Sequence, residues 1–166
     1  MKLIKYLFRK FMLPVYIIIS AVISIIFTLV AGADFSVFLR MLPVVLCLLL
    51  LLRASDDLFD YETDSTKKTQ HLSKKALIIL ASVIALLYIS LNVAFYGLIG
   101  LISIAAVAYI PIQEKLPMLK IAYMALLFLY YFYANCTALI WIHFAAAVVC
   151  LIVSAVYYIF KRKVRK

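Results

Sequence analysis

Charge is sparse in this chain. Of its 166 residues only 14% are charged, and only seven are acidic. A soluble domain usually carries about 25% charged and about 45–50% apolar residues. Here 69% are hydrophobic and the mean hydropathy is +1.16. A fold of this length could not hide so much apolar surface from water, which excludes a water-soluble globule. Glycine is scarcer still. Gly32, Gly97 and Gly100 are the only three, and none is arranged to cradle a phosphate, so the glycine-loop nucleotide binders are excluded. Cys47, Cys136 and Cys150 lie in or near apolar runs without metal-ligand spacing, and read as small apolar packers. The alternation of outer-membrane strands is missing, which excludes a β-barrel. There is no nucleophile–base constellation, haem motif, internal repeat or low-complexity linker, so residues 1–166 read as a single domain.

What is present is a series of apolar runs. The first, Val15–Val30, ends at Ala31-Gly32-Ala33-Asp34. Phe38–Leu52 is the second, interrupted by Arg40 and Pro43. Residues 76–112 form a tract roughly twice as long as a ~30 Å hydrocarbon core needs at about 1.5 Å per residue. It is expected to fold as two spans turning near Tyr96-Gly97 or Gly100. Pro117–Tyr133 and Ala138–Phe160 follow. The expected fold is an all-α polytopic membrane helical bundle of about six transmembrane helices.

The placement of the basic residues agrees with that count. With the N-terminus inside, every one of the 17 lysines and arginines except Arg40 falls on the inner side. The positive-inside rule then puts both termini on the cytoplasmic face of an inner or plasma membrane. The net charge of +10 is accounted for by orientation and anionic headgroups, not nucleic acid. Tyr130, Tyr131, Tyr133 and Trp141 are expected to form an interfacial aromatic belt. The Ala31-Gly32-Ala33 stretch looks like a signal-peptide cleavage site, but the apolar run before it is longer than usual and more membrane follows, so it is expected to be retained.

Five of the seven acids crowd into residues 56–64, just after the second run. Asp57, Asp60 and Asp64 stand at i, i+3 and i+7, on one face of a helix, with Asp56 and Glu62 beside them. Arg53 lies one turn before Asp57. Carboxylates this close repel one another unless a cation sits between them. Mg²⁺ is typically held by one or two carboxylates together with substrate phosphates. Asp57, Asp60 and Asp64 are therefore candidate metal ligands, and Lys67 and Lys68 would neutralise the remaining phosphate charge. The bland alternative is a solvated acidic loop. Leu58, Phe59 and Tyr61, interleaved with the acids, argue instead for an amphipathic helix.

The stretch Arg53-Ala54-Ser55-Asp56-Asp57-Leu58-Phe59-Asp60-Tyr61-Glu62-Thr63-Asp64 resembles the first aspartate-rich motif of the UbiA superfamily of intramembrane prenyltransferases, in its RxxDExxDxxxD form with Asp57 in place of Glu. It falls where that family places it, in the cytoplasmic loop after the second span. More loosely, His71–Leu77 resembles the opening of the family's third helix, and Tyr109-Ile110-Pro111 with Lys115 and Lys120 its basic loop after the fourth. The resemblance covers roughly residues 9–135. It implies a helical bundle around a cavity, in which Mg²⁺ held by two aspartate motifs grips a prenyl diphosphate while the prenyl group passes to a lipid or aromatic acceptor. Carried across, the resemblance makes Asp57, Asp60 and Asp64, assisted by Asp56, the metal residues, and Arg53 with Lys67 or Lys68 the diphosphate contacts.

Members typically have more helices and a second aspartate motif. The last acid here is Glu114. The expectation is half a cradle, completed by a homodimer or a second membrane subunit, or used for binding alone. A different class of function stands beside it: a non-catalytic scaffold or accessory subunit of a transporter or lipid-handling complex, whose acidic face docks a basic partner. His71 reads as a loop histidine. His143, Asn92 and Asn135 are polar groups in or at the ends of spans, and Arg40 is expected to snorkel.

Overall fold

The computed structural model describes residues 4, 6–10, 12–30, 32–61 and 72–115, and beyond them positions 123, 126–127, 129–131, 133–135, 148 and 152. Among these residues the regular structure is entirely helical. The chain divides into two compact units, Met1–Val107 and Ala108–Lys166.

The first unit opens with a π-helical turn, Tyr6–Lys10, followed by α1, Leu13–Val30. Gly32 stops α1. Its φ of +57° is open to glycine without strain. The amide of Gly32 donates to the Leu29 carbonyl, and that of Ala33 donates to the Thr28 carbonyl, both at 3.1 Å. These two bonds make a Schellman cap. The chain then turns directly into α2, Phe35–Phe59. α2 runs unbroken through Pro43 and packs against both α1 and α3, Lys74–Tyr96. Ser73 caps α3, its hydroxyl accepting from the amide of Ala76.

The apolar positions explain the central place of α2. Val37, Met41, Val44, Leu48, Leu51 and Ser55 are buried and repeat at four and three residues, which is one helix stripe. Val45, Cys47, Ala54 and Asp57 are buried on other faces, as a helix with neighbours on two sides requires. α3 buries only Leu77, Ile84, Tyr88 and Asn92.

The distribution of polarity is inverted. On α1, Ser20 and Ser24 are fully buried, while Ile18 is 64% exposed and Leu29 75%. On α3, Asn92 is fully buried and Leu86 is 66% exposed. Apart from the Ser24 hydroxyl, which makes no hydrogen bond, these buried donors are spent locally. Ser20 donates to the Ile17 carbonyl, Ser55 to Leu51 and Asn92 to Tyr88, each at 2.8 Å. Such back-bonding satisfies a hydroxyl or amide without water. Small serines on a helix face also let a neighbouring helix approach closely.

The expected turn in the long tract is present. α3 ends at Tyr96, and Gly97 follows with a φ of +59°. Residues Gly97–Leu101 form a 3₁₀ turn that folds back against the end of α3, and α4 covers Ile102–Lys115. Two helical stretches, Phe35–Phe59 and Lys74–Pro111, are long and apolar enough to cross a membrane; the second contains this turn.

In the second unit, the rings of Tyr109 and Tyr123 stack with centroids 5.5 Å apart, and those of Tyr130 and Tyr131 meet at 4.8 Å. Of the expected aromatic belt, Tyr130 and Tyr131 are buried, Tyr133 is exposed, and Trp141 lies outside the described residues. Most of the expected fifth and sixth runs also lies outside them. One boundary needs correction. The second run was expected to end at Leu52, yet the helix continues to Phe59. Arg53 pairs with Asp57 one turn later, and charge within the last turns does not break a helix that is paired internally.

The turn yields a test. A Cβ on Gly100 would collide with the backbone carbonyl of Asn92 and lie 2.6 Å from the Val93 nitrogen, whereas one on Gly97 would meet nothing. Gly100→Ala is expected to destabilise the protein by about 1–3 kcal/mol through forced backbone shift. Gly97→Ala should cost roughly 1–3 kcal/mol, because a φ of +59° with a ψ of −137° is a backbone conformation essentially reserved for glycine. Unfolding in mixed detergent–SDS micelles, followed by circular dichroism, measures both. Full stability of Gly100→Ala would contradict the close approach.

Candidate cation and diphosphate site

The antiparallel pairing of α1 and α2 decides what meets what. The segment before α1 and the last turn of α2 lie at the same end of the unit. There the Tyr6 hydroxyl donates to Oδ2 of Asp57 at 2.5 Å, across 51 positions of sequence. Nη2 of Arg53 lies 3.0 Å from Oδ1 of the same carboxylate. Each Asp57 oxygen thus has a partner from a different direction. The bond from Tyr6 has the short length of an O–H group facing a carboxylate.

Burial makes these partners necessary. Asp57 is 5% exposed and Tyr6 1%. An ionised carboxylate withdrawn from water is very costly unless paired and hydrogen-bonded. Arg53 supplies the countercharge and Tyr6 the second bond. Burial pushes the Tyr6 phenol well above its usual range; the hydrogen bond to Asp57 and its charge push the same way, and Arg53 opposes. Tyr6 is therefore a neutral donor throughout the physiological range.

The neighbouring acids are placed differently. Asp56 is half-buried. Asp60 is exposed, in the turn that ends α2, with its amide donating to the Asp56 carbonyl at 2.9 Å. Tyr61 is half-buried, and the Lys74 ammonium stands 6.0 Å from its ring centre, which brings the start of α3 to the same end of the unit. Asp64, Lys67, Lys68, Glu62 and His71 lie outside the described residues.

The structure therefore brings Arg53 onto Asp57 as the one-turn spacing implies, but separates Asp57 from Asp60 in environment, one buried and one exposed. Asp56 and Asp57 also belong to α2 itself, not to a loop after the span. The reason is the helix extension to Phe59. Among the described residues, no three His, Cys, Asp or Glu side chains converge in a metal-holding group. The donors nonetheless suit a hard cation: carboxylate oxygens on Asp56, Asp57 and Asp60, with basic Arg53 and Lys74 close by.

Tyr6 escaped the sequence reading. It stands among basic residues in a segment that reads as an orientation signal, and nothing local links it to Asp57. Asn92 and Asn135, read as polar groups in or at the ends of spans, place their amide nitrogens on the carbonyls of Tyr88 and Tyr131, four residues back, at 2.8 Å. The Arg40 Nε faces the Ser36 carbonyl at 3.3 Å. Compared with protein families, with curated proteins and with solved structures, the chain finds no match in any of the three.

The buried pair predicts a non-additive mutant cycle. Arg53→Ala leaves the Asp57 carboxylate without its countercharge and should cost about 3 kcal/mol. Adding Asp57→Asn removes the charge, so the double variant should be less destabilised than Arg53→Ala alone. SDS unfolding of the four proteins measures the coupling; simple additivity would show that the pair contributes nothing.

Proposed function

We propose that this protein is a multi-pass helical membrane protein, with both termini cytoplasmic, that binds a prenyl diphosphate through Mg²⁺ at the acidic end of α2. The membrane placement is supported by the inverted polarity: apolar side chains cover the outside of α1 and α3, while serine and asparagine lie within. Hydrocarbon is a suitable surrounding for such a surface. Six spans and an inner or plasma membrane location follow from the apolar runs and the basic residues flanking them.

The observation that carries the ligand reading is the set of charges at one end of the unit. Arg53, Asp56, Asp57 and Asp60 stand in the UbiA-like spacing, at the end of an apolar helix, near Lys74. Asp57, Asp60 and Asp56, with Asp64, would hold Mg²⁺. Arg53, Lys67 and Lys68 would contact phosphate oxygens, where a guanidinium can offer two parallel donors. The prenyl tail would lie along apolar helix faces. Bound Mg²⁺ supplies a Lewis acid and a template for the leaving diphosphate. Transfer of the prenyl group to a lipid or aromatic acceptor would break the bond from the prenyl carbon to the diphosphate oxygen. A second carboxylate set for that step would come from a homodimer or another membrane subunit.

A second reading has its own support. Asp57 already has Arg53 and Tyr6 as partners, as a purely structural carboxylate would. In that case the protein is a membrane scaffold or accessory subunit, with exposed Asp60 on a docking face.

Binding of geranylgeranyl diphosphate to the detergent-purified chain separates the two. The prenyl diphosphate reading expects binding with Mg²⁺, loss with EDTA, and at least tenfold weaker binding for Asp57→Asn and for Asp60→Asn. Binding that is absent, or that ignores the metal and both substitutions, leaves the scaffold reading.

A further inference from the structure

We propose that the Tyr6–Lys10 turn is a latch over the acidic end of α2, so that Asp57 takes a cation only after Tyr6 releases it; this rests on the reading of Asp57 as a cation ligand.

The first ground is mutual exclusion. Oδ2 of Asp57 receives the Tyr6 hydroxyl and Oδ1 faces Arg53. The residue is 5% exposed, with Tyr6 packed on it from outside its own helix. Mg²⁺ sheds its waters reluctantly and usually keeps several. Such an ion has no approach to these oxygens while the phenol covers them. Arg53 is on the same helix as Asp57 and goes with it in either state. Tyr6 comes from a different piece of chain and can leave.

The second ground is how the turn is held. Tyr6 is buried, but the side chains of Ile4 and Phe8 on either side are 63% and 58% exposed. The segment is a single π-helical turn, a rare form found mostly as single turns and often at functional sites. It joins α1 through Met12, whose φ is +51°. A non-glycine residue in the left-handed region is strained and persists only where its surroundings hold it there. Release of Tyr6 frees Met12 to relax. A segment in which Tyr6 is the one buried side chain among those described, on a strained joint, belongs to the low-stability end of a structure, from which moving elements are drawn. While it is closed, the apparent affinity for a cation is reduced by the fraction of molecules that are open.

The test is hydrogen–deuterium exchange of the 6–10 amides in the full chain in detergent, alongside binding of geranylgeranyl diphosphate with Mg²⁺. In the wild-type protein, exchange in this segment should rise severalfold when Mg²⁺ and the diphosphate are added; this arm needs no variant to fold. Tyr6→Phe should show raised exchange without ligand and bind about tenfold more tightly, the factor expected when a closed state loses one bond to a charged group. Asp57→Asn should raise exchange and bind weakly or not at all. If the wild-type protein binds while exchange stays unchanged or slows, or if Tyr6→Phe binds no more tightly, the latch is overturned and the cation site stands. If neither the wild-type protein nor Tyr6→Phe binds, the cation-site reading falls and the latch with it, leaving Tyr6 as a structural buttress.

Discussion

Asp57 brings a carboxylate to a place that water scarcely reaches, and two pieces of chain are committed to that charge. Arg53 approaches it from the previous turn of the same helix, and Tyr6 from the segment before α1. The energetic logic is one-sided. A buried carboxylate with both oxygens engaged adds little net stability, but one that loses a partner is strongly unfavourable. The pairing of α1 with α2, the end of α2 and the position of the N-terminal turn are therefore tied to one group.

Several other buried polar groups of the described structure are satisfied without recourse to water. Ser20, Ser55, Asn92 and Ser103 return their donors to carbonyls three or four residues back, while the buried Ser24 hydroxyl makes no hydrogen bond. Glycine appears where the chain must reverse: Gly32 closes α1 in a Schellman cap, Gly97 takes a positive φ, and Gly100 lets a 3₁₀ turn lie against the Asn92 carbonyl. With three glycines in the chain and each at a turn, little conformational freedom is left within the helices.

The acidic stretch combines two demands that pull apart. On the proposed reading, chemistry with a diphosphate would ask for carboxylates that a cation can reach, and the exposed Asp60 fits that demand. Packing asks that a buried carboxylate be covered, and Asp57 meets that one. The proposed latch, a cover contributed by a separate segment on a strained joint, would reconcile them by separating the two states in time instead of in space.

Most of the local architecture was readable from the sequence. The first two apolar runs and the long tract located α1 to α4, Gly97 and Gly100 located the reversal, and the four-residue spacing of Arg53 and Asp57 placed them on one helix face. These are local regularities: hydropathy, backbone conformation and helix period act over a few residues. The continuity of α2 through the first acids was not readable, because charged residues look the same in a separate amphipathic helix as in the last turns of a span. The burial of Asp57 and the contact from Tyr6 were decided only by tertiary structure. A hydrogen bond across 51 positions exists because two antiparallel helices bring their ends together, and no periodicity in the sequence records that distance.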